Sequence, residues 1–173
     1  MGMHIIIDGY NLIRQSKVLG RLDRQDIARG REALIGQLAA YRRLKPHRIT
    51  VVFDGARATG LAPPRDRVKG ISIVFSREGE LADSVITRLA RQEREQALVV
   101  SSDQAVARTA EACGASVIDS LEFESRMAMA AALEGQDAPT EEPPARRVST
   151  RKKGEGRRLP KRLRRQRMKV GKL

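Results

Sequence analysis

The chain has 173 residues, enough for one domain plus an appendage, and its 40% hydrophobic residues include three Phe, two Tyr and no Trp. The core is therefore aliphatic, so few aromatics cannot form a base-stacking sheet of the RNA-recognition-motif kind, the lone Cys113 excludes an internal disulfide, and no Cys/His spacing resembles a zinc site. Residues 145–173 carry the whole net charge of +13, with 14 Lys/Arg against Glu155, whereas residues 1–144 balance 20 basic against 20 acidic side chains; a neutral folded part bears a basic arm.

In chain order, His4–Ile7 is a short apolar run that stops at Asp8-Gly9. Residues 25–44 place Ile27, Leu34, Leu38 and Tyr41 on one face and predict a helix. Arg48–Phe53 is a β-branched strand ending at Asp54-Gly55, a Gly- and Pro-rich loop is expected from Ala56 to Gly70, and Ile71–Phe75 is a further strand. Residues 81–95 set Ala82, Val85, Ile86 and Leu89 at helical spacing. Ala97–Val100 is a strand stopped by Ser101-Ser102-Asp103, residues 104–113 a helix ended by Gly114, Ala115–Ile118 a strand, and residues 120–133 a last helix. Such alternation predicts an α/β domain over residues 1–134, with a mostly parallel sheet covered on both faces. Residues 135–150, with Pro139, Pro143 and Pro144, read as a linker, and residues 151–173 as a disordered or partly helical basic tail. The start lacks a signal peptide, no run approaches the roughly 20 apolar residues that cross a bilayer, and neither GxGxxG nor a Walker A pattern occurs. A cytoplasmic protein with no nucleotide cofactor and no membrane partner is expected.

Ligands of open α/β sheets bind beyond the carboxyl ends of the strands. Asp8, Asp54 and Asp103 each follow a predicted strand, Asp83 opens the helix after the third, and Glu78 and Glu80 lie just before it. In a parallel sheet all of them share one rim. Any one of these could serve only as a helix N-cap or turn residue, Asp103 and Asp54-Gly55 most readily. Capping accounts less well for three strand ends plus Asp83. Two carboxylates about 4 Å apart repel by roughly 4 kcal/mol at an effective dielectric of about 20, so a cluster either protonates or binds a divalent cation. Hard oxygen donors favour Mg²⁺ or Mn²⁺, which activate water and offset charge on a phosphodiester.

Four segments carry a family resemblance: Ile5-Ile6-Ile7-Asp8-Gly9-Tyr10-Asn11-Leu12-Ile13, Val51-Val52-Phe53-Asp54-Gly55, Glu80-Leu81-Ala82-Asp83-Ser84-Val85-Ile86 and Val99-Val100-Ser101-Ser102-Asp103, with Gly114-Ala115-Ser116-Val117-Ile118 beyond them. In order and spacing this set resembles the NYN domain in its bacterial YacP-like branch, one of the PIN-like nucleases, over about residues 3 to 130. The resemblance implies a three-layer α/β/α PIN-like fold. It implies one or two Mg²⁺ or Mn²⁺ ions at Asp8, Asp83, Asp103 and Asp54, the last acting directly or through another ligand. It makes Asn11 a polar helper in the first loop, and Ser102 the residue that orients Asp103 or a water at the metal. It implies endoribonuclease action on RNA, with the translating ribosome as a setting. Leu81 stands where the family often has threonine, and the tail after residue 145 lies outside the resemblance, so its role rests on charge.

The tail holds Arg151, Lys152, Lys153, Arg157, Arg158, Lys161, Arg162, Arg164 and Arg165, a pattern for polyanion binding whose affinity falls with salt. A solvated solubility tail is the plainer alternative, and membrane-surface binding is weaker, because Leu159, Leu163, Met168 and Val170 make a poor apolar face. Arg57, Arg65, Arg67 and Lys69 are expected to flank the acidic rim and hold RNA phosphates, unless they merely charge a loop; Arg14, Lys17, Arg21 and Arg24 share that ambiguity. His4 and His47 lie near strand starts and read as structural, no G-x-S-x-G elbow occurs, and Cys113 reads as core. The leading reading is metal-dependent hydrolysis of RNA, with mRNA or ribosomal RNA as partner. The alternative is a catalytically silent RNA-binding or ribosome-associated factor, and a DNA nuclease is a third reading. Truncation after residue 144 is the simplest experiment to separate nuclease from binder.

Overall fold

Uninterrupted aliphatic runs form the central strands, because a strand buried on both faces has no need of alternation. β1 (His4–Asp8), β2 (Arg48–Phe53) and β5 (Ala97–Val100) are buried almost throughout. The computed structural model describes residues 2–57, 65–134, 169–171 and 173. After β1 come α1 (Gly9–Gln15), α2 (Lys17–Gln25) and α3 (Ile27–Leu44); after β2 come the edge strand β3 (Arg65–Val68), β4 (Ile71–Phe75) and α4 (Ala82–Glu93); after β5 come α5 (Gln104–Ala112), β6 (Ser116–Ile118) and α6 (Ser120–Glu134).

The six strands lie in the order β3-β4-β2-β1-β5-β6. All neighbours are parallel except β3 and β4. Side chains alternate between the two faces. Ile5, Ile7, Val51, Phe53, Ile71 and Ile73 pack with residues of α1, α3 and α6, while Ile6, Val52, Val99 and Val117 pack with residues of α4 and α5. The result is a three-layer α/β/α fold. From β1 the chain winds to β2 and β4 on one side, and later to β5 and β6 on the other. This makes the carboxyl ends of β1 and β5 the switch point where such sheets bind ligands.

Two stretches depart from the expected elements. Residues 9–25 form α1 and α2, two short helices that precede α3. Each of the three helices starts at a side-chain cap: Asp8 accepts from the Asn11 N–H, Ser16 from the Leu19 N–H and Asp26 from the Ala28 N–H. The anticipated loop from Ala56 to Gly70 contains a 3₁₀ turn, Gly55–Arg57, and the charged strand β3. β3 joins β4 through Lys69 and Gly70, both at positive φ (52° and 82°), the backbone of a two-residue hairpin turn. The sequence Arg-Asp-Arg-Val has no apolar alternation to announce a strand. An edge strand exposed to water needs none, and its charges blunt the open edge. The expected linker and most of the basic tail, residues 135–168, lie outside the described residues.

Candidate active site

Asp8 ends β1, and alternation places it on the α4/α5 face with Ile6. Its side chain is 9% exposed. One carboxylate oxygen accepts from the Asn11 N–H at 3.4 Å and the other from Ser101 Oγ at 3.1 Å. Burial pushes its pKa up to about 6, and the charges of Asp83 and Asp103 push the same way. Asp83, exposed in the first turn of α4, is raised by partial burial, then by the charges of Asp103 and Asp54. Asp8, Asp83 and Asp103 thus act on one another's charge at the switch point, and Asp54 acts on Asp83.

Capping and clustering hold together here. Asp103 caps α5, accepting from the Ala105 N–H at 2.7 Å and the Val106 N–H at 3.4 Å, and Asp54 accepts from the Ala56 N–H at 3.0 Å. Asp83 is the one that capping does not explain. The N-cap position of α4 belongs to Leu81, which is 63% exposed and makes no side-chain cap bond. Behind Asp54, Gly55 fits so closely under Ser76 that an added Cβ would stand 2.0 Å from the Ser76 carbonyl oxygen. Glu80 is tied to Arg88 at 2.7 Å, which with the Arg77 N–H holds its carboxyl below the usual range.

Two helper residues do something other than expected. Asn11 stands in α1, not in a loop, and its Oδ1 accepts from the Ser102 N–H at 2.9 Å and from Ser120 Oγ at 2.8 Å. Ser102 does not reach toward Asp103: its hydroxyl donates to Asp119 Oδ2 at 2.6 Å. The serine that serves both acids is Ser101, whose Oγ donates to Asp8 and accepts from the Asp103 N–H at 3.1 Å. Asp119 and Ser120 complete the clamp. Asp119 follows β6 as Asp8 follows β1, and the run Val117-Ile118-Asp119 was the signal for a fourth strand-end acid. The Ser102 hydroxyl and the Leu121 and Glu122 N–H groups hold its carboxyl below the usual range, against a small desolvation.

The basic candidates are spread out. Arg57 lies at the rim, its guanidinium 5.7 Å over the Tyr10 ring, and Arg65 pairs with Val74 near the rim end of β4. Arg67 and Lys69 lead away from the rim along the edge strand. Arg151 through Arg165 are not among the described residues. His4 sits at the opposite end of β1, with Nε2 2.8 Å from Thr50 Oγ1 and Nδ1 beside Arg48 and Glu93; burial, then the Arg48 charge, lowers its pKa.

The donor set at the rim is all oxygen, and Asp8 uses only two of its acceptor sites on the protein, so the chemistry fits a hard divalent cation. Among the described residues no group of three or more His, Cys, Asp or Glu is placed to hold a metal ion by itself. An ion would therefore rest on one or two carboxylates, with water filling its shell, as Mg²⁺ commonly does.

The chain matches the YacP-like NYN domain over residues 5–169. It belongs to the YacP-like NYN domain family. The family is one of PIN-like nucleases, and that supports a nuclease. The match runs beyond residue 130, where the resemblance was expected to end, and takes in the basic segment after residue 145 that was expected to lie outside it. This NYN chain is 31% identical over 87 residues to the protein named "Uncharacterized protein YacP" of Bacillus subtilis (strain 168), covering 50% of this chain and 51% of that one. It thus spans about half the length of the curated relative it matches. Its fold superposes on the crystal structure of Rae1 (YacP) from Bacillus subtilis with a TM-score of 0.67 at 25% identity, covering 79% of each chain. A mutant of that protein gives a TM-score of 0.63 at 23% identity, covering 80% of this chain and 87% of the other. Among the described residues no helix is long and apolar enough to cross a membrane.

Proposed function

We propose that this chain is a metal-dependent endoribonuclease that hydrolyses RNA phosphodiester bonds at the rim of Asp8, Asp54, Asp83 and Asp103. The gathering of Asp8, Asp83 and Asp103 at the ends of β1 and β5 carries the reading, above all Asp83, which stands outside the N-cap position of its helix and lies in the field of Asp103 and Asp54. Asp8, Asp83 and Asp103 would supply the carboxylates for one or two Mg²⁺ or Mn²⁺ ions, no more than two to each ion, with Asp54 assisting. A divalent cation bound there makes water more acidic and offsets charge on the phosphodiester. The protein's own part is positioning. Ser101 fixes Asp8, Asn11 pins the Ser101-Ser102-Asp103 turn, and Arg57 and Arg65 offer cations to flanking phosphates. The basic segment recruits mRNA or ribosomal RNA in the cytoplasm, with the ribosome as a partner.

The test compares wild type, Asp8→Asn and Asp83→Asn on single-stranded RNA with Mn²⁺, and wild type with EDTA. Losing several kcal/mol of transition-state stabilisation predicts a rate drop of about 100-fold or more in each case. The capping bonds of Asp8 and Asp103, and the absence of a three-acid metal group among the described residues, favour a second reading, a catalytically silent RNA-binding factor. Equal cleavage by all three proteins would decide against the nuclease.

A further inference from the structure

A second concavity lies on the other face of the sheet. Between α3 and the β3–β4 hairpin lies a cleft of about 490 Å³, within the size range of small-ligand sites. Its floor is apolar, made by Ile35, Phe53, Ile73 and Phe75. Its mouth is charged, with Arg31 and Lys69 beside Glu32 and Asp66.

Three of the five aromatics gather here. Tyr10 and Phe53 meet with ring centroids 5.0 Å apart, and Phe53 and Phe75 stack at 5.7 Å with planes 28° apart. Phe53 is buried, whereas Phe75 is only half-buried and faces the cleft. Arg31 holds its guanidinium 5.7 Å over the Phe75 ring and donates from Nη1 to the Tyr10 hydroxyl at 3.0 Å. A ring and a guanidinium plane at a cleft that the described residues leave open form a surface for a flat, polarisable group. Cations at the mouth suit a phosphate next to that group, and carboxylates suit the N–H edge of a base.

Position links the cleft to the acids. Phe75 pairs with Phe53, and Phe53 precedes Asp54. One end of the cleft therefore lies at the strand end that carries Asp54, on the face of the sheet opposite the carboxylates. We propose that the cleft receives one unstacked nucleobase of the RNA strand, stacked against Phe75 and the Arg31 guanidinium. This rests on the reading of the chain as acting on RNA and adds a subsite to it.

The full-length chain, kept uncleaving in EDTA, is bound to single-stranded RNA carrying 5-iodocytidine and irradiated, and the crosslinked peptides are mapped by mass spectrometry. Crosslinks to Phe75 support the proposal, and crosslinks confined to the basic segment overturn it. In parallel, Phe75→Leu and Arg31→Gln are titrated with the same RNA at high salt, where the basic segment contributes least. Loss of a stacked base predicts about tenfold weaker binding, and unchanged affinity in both variants overturns the proposal. If Phe75→Leu fails to fold, the wild-type crosslink map decides alone. Cleavage is not the readout: a chain that crosslinks at Phe75 but never cuts RNA sinks only the nuclease reading, and one that cuts but crosslinks elsewhere sinks only the subsite.

Discussion

Asp8 is ionised at neutral pH against the preference of its surroundings. Burial and neighbouring charge raise its pKa from 3.8 to about 6, so between those values the folded protein holds a proton that the unfolded chain has released. Stability from this group is therefore greatest below pH 4, falls as pH rises toward 6, and stays lowered above it. The shift corresponds to roughly 3 kcal/mol at full ionisation. Asparagine caps helices as well as aspartate: its Oδ1 can accept from the Asn11 N–H while its amide N–H donates to Ser101 Oγ, so Asp8→Asn removes the charge and keeps the cap with the Ser101 contact reversed in direction. Without divalent ions the variant should melt several degrees above wild type at pH 8, and that gain should shrink toward pH 4. Thermal unfolding across pH checks it; an equal or lower Tm at pH 8 would show that the carboxylate is not strained.

At the scale of elements, the site depends on how the ends of β1, β5 and β6 are tied. Asn11 at the start of α1 binds the turn after β5 and Ser120 of α6, while Ser102 bridges that turn to Asp119. Ser102→Ala removes a hydrogen bond to a carboxylate and leaves the Ser120 N–H without the Ser102 oxygen at 3.2 Å. Asp119 is largely in water, so solvent screening limits the cost to about 1 kcal/mol. Its depressed pKa makes this contribution present above the unfolded carboxylate pKa and lost as pH falls through the folded one. Urea titration should thus separate Ser102→Ala from wild type at pH 7 and bring them together in acid. A gap that persists unchanged in acid would mean that Ser102 acts through packing.

At the scale of the molecule, the chain's last residues fold back. Lys169 Nζ donates to the Ala97 carbonyl, Arg126 Nη1 donates to the Val170 carbonyl at 3.2 Å, Val170 packs on the core, and Leu173 is 5% exposed. Ala97 starts β5, so this anchor lies at the end of the sheet opposite the acids. Truncation after residue 144 would remove it and confuse binding with stability, since a buried leucine alone contributes about 1.5–3 kcal/mol. Replacing Arg151, Lys152, Lys153, Arg157 and Arg158 with Gln leaves the anchor in place. Melting temperature should hold, while RNA affinity falls and the salt slope flattens by up to about 0.7 for each phosphate that is no longer neutralised. An unchanged slope would mean that the segment serves solubility.

The sequence by itself determined the order of strands and helices, because aliphatic runs and helical periodicity record burial locally, and it determined that Asp8, Asp54 and Asp103 end strands while Asp83 opens a helix. It did not announce α1, α2 or β3, whose short or charged segments lack a long apolar pattern and gain stability from the elements they pack or pair with. Nor could it show that Ser101 rather than Ser102 serves the acids, or that Ser102 turns to Asp119: a hydroxyl chooses its partner by direction, and direction is set by packing. The gathering of Tyr10, Phe53 and Phe75 beside Arg31 was likewise hidden, since composition counts aromatics and only the fold brings them within reach of one another.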